Sequence, residues 1–140
     1  MKILVAVDGS VYTKRMLAYL AAHDEWLGPL HDYTIVHCTA RLPDRAVGYL
    51  DRQTLKAYYG EQSERVFKPI RSFFEHQGLR ATFSARLGHA GEVIASMADK
   101  GGFELIVMGS HGHGAIGSLV LGSVANRVLA DCKTPVLLLR

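Results

Sequence analysis

Two stretches of this sequence carry residue types that can bind or move charge. One is Asp8-Gly9-Ser10, which follows the apolar run Ile3 to Val7. The other is Gly109-Ser-His-Gly-His-Gly-Ala-Ile-Gly-Ser-Leu-Val-Leu-Gly-Ser123. Of the 14 glycines, seven fall in the 22 residues from Gly101 to Gly122, a clustering that average composition does not produce. Glycines let main-chain N–H groups approach an anion closely, and a helix that follows adds unpaired N–H groups and the positive end of its dipole. A phosphate chain is the ligand such a segment suits, with the hydroxyls of Ser110, Ser118 and Ser123 as further donors.

Known phosphate-binding patterns separate on single residues. Gly117-x4-Gly122 has P-loop spacing, but Ser123 stands where the lysine belongs. Gly112-His-Gly-Ala-Ile-Gly117 matches GxGxxG, yet a dinucleotide site also wants an acidic residue at the end of the next strand, and this one ends in Arg140. Asp8 does not open an Asp-x-Asp phosphoacceptor pattern, because Ser10 occupies the second position, and no Ser-Gly-Gly-x-Asp-Ser loop is present. Asp8 remains a nucleotide contact or a structural cap, and Ser10 is a favoured helix N-cap. His111 and His113 form an HxH pair without the neighbouring carboxylates or thiols that would complete a zinc site. A phosphate-side donor role suits either one, and a solvated loop position suits His113. The other five histidines need no functional reading.

Stepping along the chain gives the elements that must hold these residues. Residues 3–7 are apolar on both faces, as a central parallel strand requires. A helix from Tyr12 to Trp26 ends at Gly28-Pro29, and residues 33–38 form a second strand followed by a polar loop with Pro43. Residues 50–77 are helical, with a kink or break expected at Pro69 and core positions expected for Tyr58, Tyr59, Phe67, Phe73 and Phe74. Residues 80–86 alternate weakly and carry charge at both ends, which suits an edge strand. A helix over 90–100, a strand over 104–108, a helix over 119–130 and a strand over 135–139 complete the order β-α-β-α-β-α-β-α-β. That alternation predicts one domain over residues 1–140, an α/β doubly wound five-stranded parallel sheet with helices on both faces.

Composition narrows the function classes. Sixteen Lys+Arg against thirteen Asp+Glu leave a formal charge of +3, with 49% hydrophobic and 21% charged residues. The basic residues are spread out, so no stripe follows a nucleic-acid backbone, and no apolar run approaches the length of a membrane span. The start Met-Lys-Ile-Leu-Val-Ala-Val-Asp is too short for a signal-peptide core, and Cys38 and Cys132 form no CxxC pair. A cytoplasmic chain with reduced thiols is expected.

Gly109, Gly112, Gly122 and Ser123 also satisfy the pattern Gly-x2-Gly-x9-Gly-Ser/Thr. With the start Ile-Leu-Val-Ala-Val-Asp-Gly-Ser, the strand end Val36-His37, the segment Met108-Gly-Ser-His-Gly, the run Gly122-Ser-Val-Ala-Asn and the ending Thr134-Pro-Val-Leu-Leu-Leu, the chain resembles the universal stress protein family over nearly its whole length. The resemblance implies strand order 3-2-1-4-5 and an ATP site between the first and fourth strand ends. It places Val7, Asp8 and Cys38 at adenine and ribose, although an aliphatic residue is more usual at position 38. It places Met108, Gly109, His111, Gly112, Gly122, Ser123 and Val124 around ribose and phosphates, with Mg²⁺ on the nucleotide. It also implies a homodimer through the last strand, Val136–Leu139. No lysine or arginine lies between Gly101 and Arg127. Phosphoryl transfer needs a base, metal ligands and charge stabilisation. A nucleotide-responsive stress or regulatory protein that binds without efficient turnover is therefore expected. A slow ATPase or nucleotide-dependent phosphotransferase is the alternative.

Overall fold

In the computed structural model, which describes residues 1–114 and 120–140, the apolar runs pair as one parallel sheet. Its strands are β1 (Lys2–Ala6), β2 (Asp32–Thr39), β3 (Ala81–Leu87), β4 (Leu105–Gly109) and β5 (Val136–Leu139), in spatial order β3-β2-β1-β4-β5. The helices are α1 (Val11–Ala22), α2 (Asp24–Leu27), α3 (Asp44–Val47), α4 (Arg52–His76), α5 (Ala90–Gly101) and α6 (Ser123–Asp131). Strand order reverses between β1 and β4. Parallel sheets of this kind leave a crevice beyond the strand ends at that switch point.

The period of two along each strand sorts side chains between two cores. Ile3, Val5, Ile35 and Val107 pack with Met16, Leu20, Phe67, Ile70 and Phe74 from α1 and α4. Leu4, Val36, Ile106 and Met108 pack with Ile94, Ala98, Ala125 and Val128 from α5 and α6. Ile3, Leu4, Val5 and Ile106 are fully enclosed. Each such side chain contributes about 1.5–3 kcal/mol by leaving water. This double cover makes the frame rigid enough to hold loops at the strand ends. The edge strands are β3 and β5, as the sequence and the resemblance implied.

Several elements depart from expectation. The helix expected over residues 12–26 is broken at His23, whose ring Nδ1 donates to the Tyr19 carbonyl at 2.9 Å while stacking on the Tyr19 ring. That carbonyl is the acceptor the His23 main-chain N–H would use to continue the helix, and the N–H turns to Leu20 instead. Conversely, α4 runs through Pro69 without a break. Pro69 and Arg65 are both on the exposed side, so the Arg65 carbonyl that loses its helical partner faces water. The loop with Pro43 contains the one-turn α3, started by Ala46 and Val47 N–H groups donating to the Pro43 carbonyl. Tyr58 is exposed rather than in the core, and half-buried Tyr59 accepts from the Leu42 N–H through its hydroxyl. The last helix begins at Ser123. The expected start at Leu119 lies outside the described residues, as do Gly117 and Ser118.

Candidate functional site

The loop after β1 is a closed hydrogen-bond unit built from three side chains. Asp8 Oδ1 accepts from the Ser10 N–H at 2.9 Å and from the Thr13 hydroxyl at 3.0 Å. Thr13 Oγ1 in turn accepts from the N–H groups of Asp8 and Gly9. Ser10 caps α1 by accepting from the Tyr12 N–H. The Tyr12 N–H of the first turn of α1 is thus satisfied by the chain's own capping serine, while those of Val11 and Thr13 have no partner among the described residues. Asp8 Oδ2 has no hydrogen bond among the described residues and lies against Gly112, where a Cβ would come within 2.7 Å of it.

The segment after β4 is held by different means. The Ser110 N–H continues the sheet by donating to the Leu139 carbonyl, and the Gly122 N–H donates to the Ser110 carbonyl at 2.8 Å. A Cβ at Gly122 would sit 3.1 Å from that same carbonyl oxygen and 3.2 Å from His111 Cα. His111 Nε2 donates to the Val120 carbonyl, so its Nδ1 accepts from the buried Ser110 hydroxyl at 2.9 Å. Among the described residues no side chain caps α6. The N–H groups of Ser123, Val124 and Ala125 therefore have no partner among the described residues, while Asn126 begins the helical ladder to Gly122.

These two loops and the end of β2 enclose a cleft of about 650 Å³. All ten residues that the sequence reading placed at a nucleotide line it: Val7, Asp8, Cys38, Met108, Gly109, His111, Gly112, Gly122, Ser123 and Val124. Val7 reaches the cleft while its side chain belongs to the α1 and α4 core. One end is an apolar slot. Strand parity turns Ala6, Val36, Cys38 and Met108 to the α5 face, where Ala90 and Ile94 complete the walls. Burial pushes the Cys38 thiol up to about 11, partly opposed by Arg86 beside it. Val36 gives its carbonyl to the Val7 N–H on the β1 side. Two residues on, the peptide groups of Cys38 face that same side past the end of β1, with no partner among the described residues.

Sequence reasoning passed over Tyr12, Thr13, Ala90 and Ile94, all of which line the cleft. Thr13 carries a usable signal, a hydroxyl one helical turn past a capping serine. Ala90 and Ile94 carry none, because their part depends on where α5 docks. Two histidines also gain a main-chain partner. His37 donates from Nδ1 to the Val7 carbonyl at 3.0 Å. His113 is exposed, as expected of a solvated loop position, and its Nε2 also donates to the Asp8 carbonyl at 2.6 Å, joining the two loops across the cleft.

A switch-point crevice beside a glycine-rich loop and a helix start places this chain among the doubly wound α/β domains, in which such a crevice is the usual ligand position. The Universal stress protein family matches residues 1–140, and the chain belongs to that family. It is 34% identical over 139 residues to a universal stress protein of Thermus aquaticus encoded 3′ of a QAH/OAS sulfhydrylase, covering 99% of this chain and 97% of the relative. The structure of MJ0577 from Methanocaldococcus jannaschii superposes with a TM-score of 0.83 at 25% identity, covering 99% of this chain and 94% of that one. A universal stress protein from Archaeoglobus fulgidus in complex with dAMP is similar in fold, with a TM-score of 0.62 at 21% identity over 100% of this chain and 98% of that one. Among the described residues, no helix is long and apolar enough to cross a membrane.

Proposed function

We propose that this protein binds ATP, with Mg²⁺ on the phosphates, and acts in the cytoplasm as a nucleotide-responsive regulatory homodimer. The observation that carries this reading is the pairing, in one cleft, of an apolar slot with an uncapped helix start. Adenine fits the slot between Val36, Cys38, Ala90 and Ile94, and the outward peptide groups of Cys38 offer one donor and one acceptor to its edge. Asp8 and Val7 lie where the ribose would follow. The N–H groups of Ser123 and Val124, the Ser123 hydroxyl and the Gly109–Gly112 backbone suit the phosphates, with Met108 and His111 shaping the loop. The dAMP bound by the Archaeoglobus relative supports adenine as the base.

Binding rather than turnover follows from the charge inventory. No lysine or arginine lines the cleft among the described residues, and none occurs in the sequence of the whole segment. Main-chain dipoles hold a phosphate chain without supplying a base or a nucleophile. Isothermal calorimetry on ligand-stripped protein should give saturable binding of Mg·ATP, and bound ATP should stay intact over hours. An absence of binding would overturn the reading. Hydrolysis that falls when Asp8 or His111 is replaced would make the protein a slow ATPase instead.

The dimer rests on β5. Val136, Leu137, Leu138 and Leu139 are only half-buried, at a sheet edge whose outer main-chain groups are unpaired. A second copy laid along that edge forms a self-complementary interface. Light scattering should give twice the 15.4 kDa chain mass, and a stable monomer would remove the dimer from the proposal.

A further inference from the structure

We propose that His113 is the charge-bearing residue of this cleft, an imidazole whose protonation favours ligands in proportion to the negative charge on their phosphates. The inference rests on the nucleotide reading above and adds to it a determinant of phosphate number and a pH response.

The geometry singles out this ring. The titratable side chains that share the cleft are Asp8 from the β1 loop, Tyr12 from α1, Cys38 from β2, and His111 and His113 from the glycine segment. Of these, only the two histidines can become cations. His111 has no nitrogen to spare: Nε2 is committed to the Val120 carbonyl and Nδ1 to the Ser110 hydroxyl, so a proton at Nδ1 would have to turn that buried hydroxyl around. His113 differs. A carbonyl can only accept, so the neutral ring must carry its proton on Nε2 to reach the Asp8 carbonyl. Nδ1 then has no partner among the described residues. A second proton taken up at Nδ1 leaves the clasp to Asp8 intact and adds both a positive charge and a new donor at the mouth of the cleft. Histidine is the side chain whose charge ordinarily changes between pH 5 and 8. The carboxylate of Asp8 also lies against this loop, with its Oδ2 facing Gly112. Phosphates bound beside the ring would favour its protonated form by linkage.

The magnitude follows from Coulomb's law. A unit charge pair about 4 Å apart in water is strengthened enough to raise affinity about fivefold. Without such an ion the site must rely on peptide dipoles, which cannot respond to pH.

Calorimetry would compare adenosine, AMP and ADP in EDTA at about pH 6 and about pH 8, on the unmodified protein, His113→Gln and His113→Lys. Gln keeps a donor for the Asp8 carbonyl, and Lys keeps a charge at both pH values. Taking the ratio of unmodified to His113→Gln affinity cancels the ligand's own titration. That ratio should rise about fivefold for ADP on going from the higher to the lower pH, rise less for AMP, and stay flat for adenosine. The His113→Lys to His113→Gln ratio should be constant with pH. A flat ratio for ADP, or the same slope for adenosine, overturns the inference while leaving nucleotide binding in place. If the unmodified protein binds none of the three, the nucleotide reading and the inference fall together. Should His113→Gln not fold, the His113 ring proton resonance of the unmodified protein supplies the test. Its titration midpoint should move to higher pH when ADP is added, by linkage, and an unmoved midpoint overturns the inference.

Discussion

Two helices, α1 and α6, begin at the same cleft, and they begin in opposite ways. The start of α1 carries a side-chain cap: Ser10 accepts from the Tyr12 N–H, and Asp8 and Thr13 satisfy the N–H groups of Asp8, Gly9 and Ser10 with side-chain oxygens. The start of α6 has no side-chain cap among the described residues, and its loop is held by the Gly122-to-Ser110 main-chain bond and the His111 ring, with Gly112 and Gly122 at the close approaches. A helix start that caps itself is structural. One left open leaves free donors and a dipole end, with a free energy that a bound anion can lower. The division of labour in the cleft follows. On the proposed function, the β1 loop would serve as a fixed wall and the β4 loop as the side that binds.

The contrast can be broken most directly at Gly122. In Gly122→Val the side chain meets the Ser110 carbonyl oxygen and His111 Cα, so the loop cannot close over phosphates. ATP binding should fall below detection by calorimetry while the circular dichroism spectrum is retained. Binding unchanged in this variant would show that α6 is not the binding side.

The opposite wall is tested by Thr13→Ala. The Asp8 and Gly9 N–H groups and Asp8 Oδ1 each lose a partner. Stability to urea should drop by about 2 kcal/mol, with nucleotide affinity reduced less than in Gly122→Val. If affinity fell further than in the glycine variant, the β1 loop would be more than a wall.

A smaller effect sharpens the slot. Burial raises the Cys38 thiol to about 11, so at pH 8 it is protonated and alkylates more slowly than an unperturbed thiol. Between about pH 9 and 11 the folded state keeps a proton that the unfolded chain releases, so this group lowers stability as pH rises through that window. Iodoacetamide labelling followed by mass spectrometry should show Cys38 slow at pH 8 and slower still with ATP present. Labelling that ATP leaves unchanged would separate Cys38 from the base.

Much of this was legible in the residues. Apolar runs named four of the five strands, weak alternation with charged ends named the edge strand β3, and glycine spacing marked the segment after β4. Ser10 announced its cap. Reading α1 as one long helix failed because apolar spacing does not register a side chain that takes a main-chain acceptor, as His23 does at Tyr19. The break expected at Pro69 failed for a related reason: a proline costs a helix less where the orphaned carbonyl faces water, and exposure is not a local property. The exposed loop position expected for His113 held, but its bond to the Asp8 carbonyl was not legible because that partner lies 105 residues away.

What the sequence determined by itself is therefore what short-range chemistry determines. Apolar runs flanked by turns become buried strands, their alternation with helices forces parallel pairing, and glycines after a strand permit an anion loop. The tertiary structure decided the rest. It set the face on which Val36 and Cys38 meet Ala90 and Ile94, left α6 uncapped beside a self-capped α1, and brought His113 onto the Asp8 carbonyl. Those features join residues far apart in the chain, and only the docking of helices onto a twisted sheet brings such residues within the few ångströms over which hydrogen bonds and charges act.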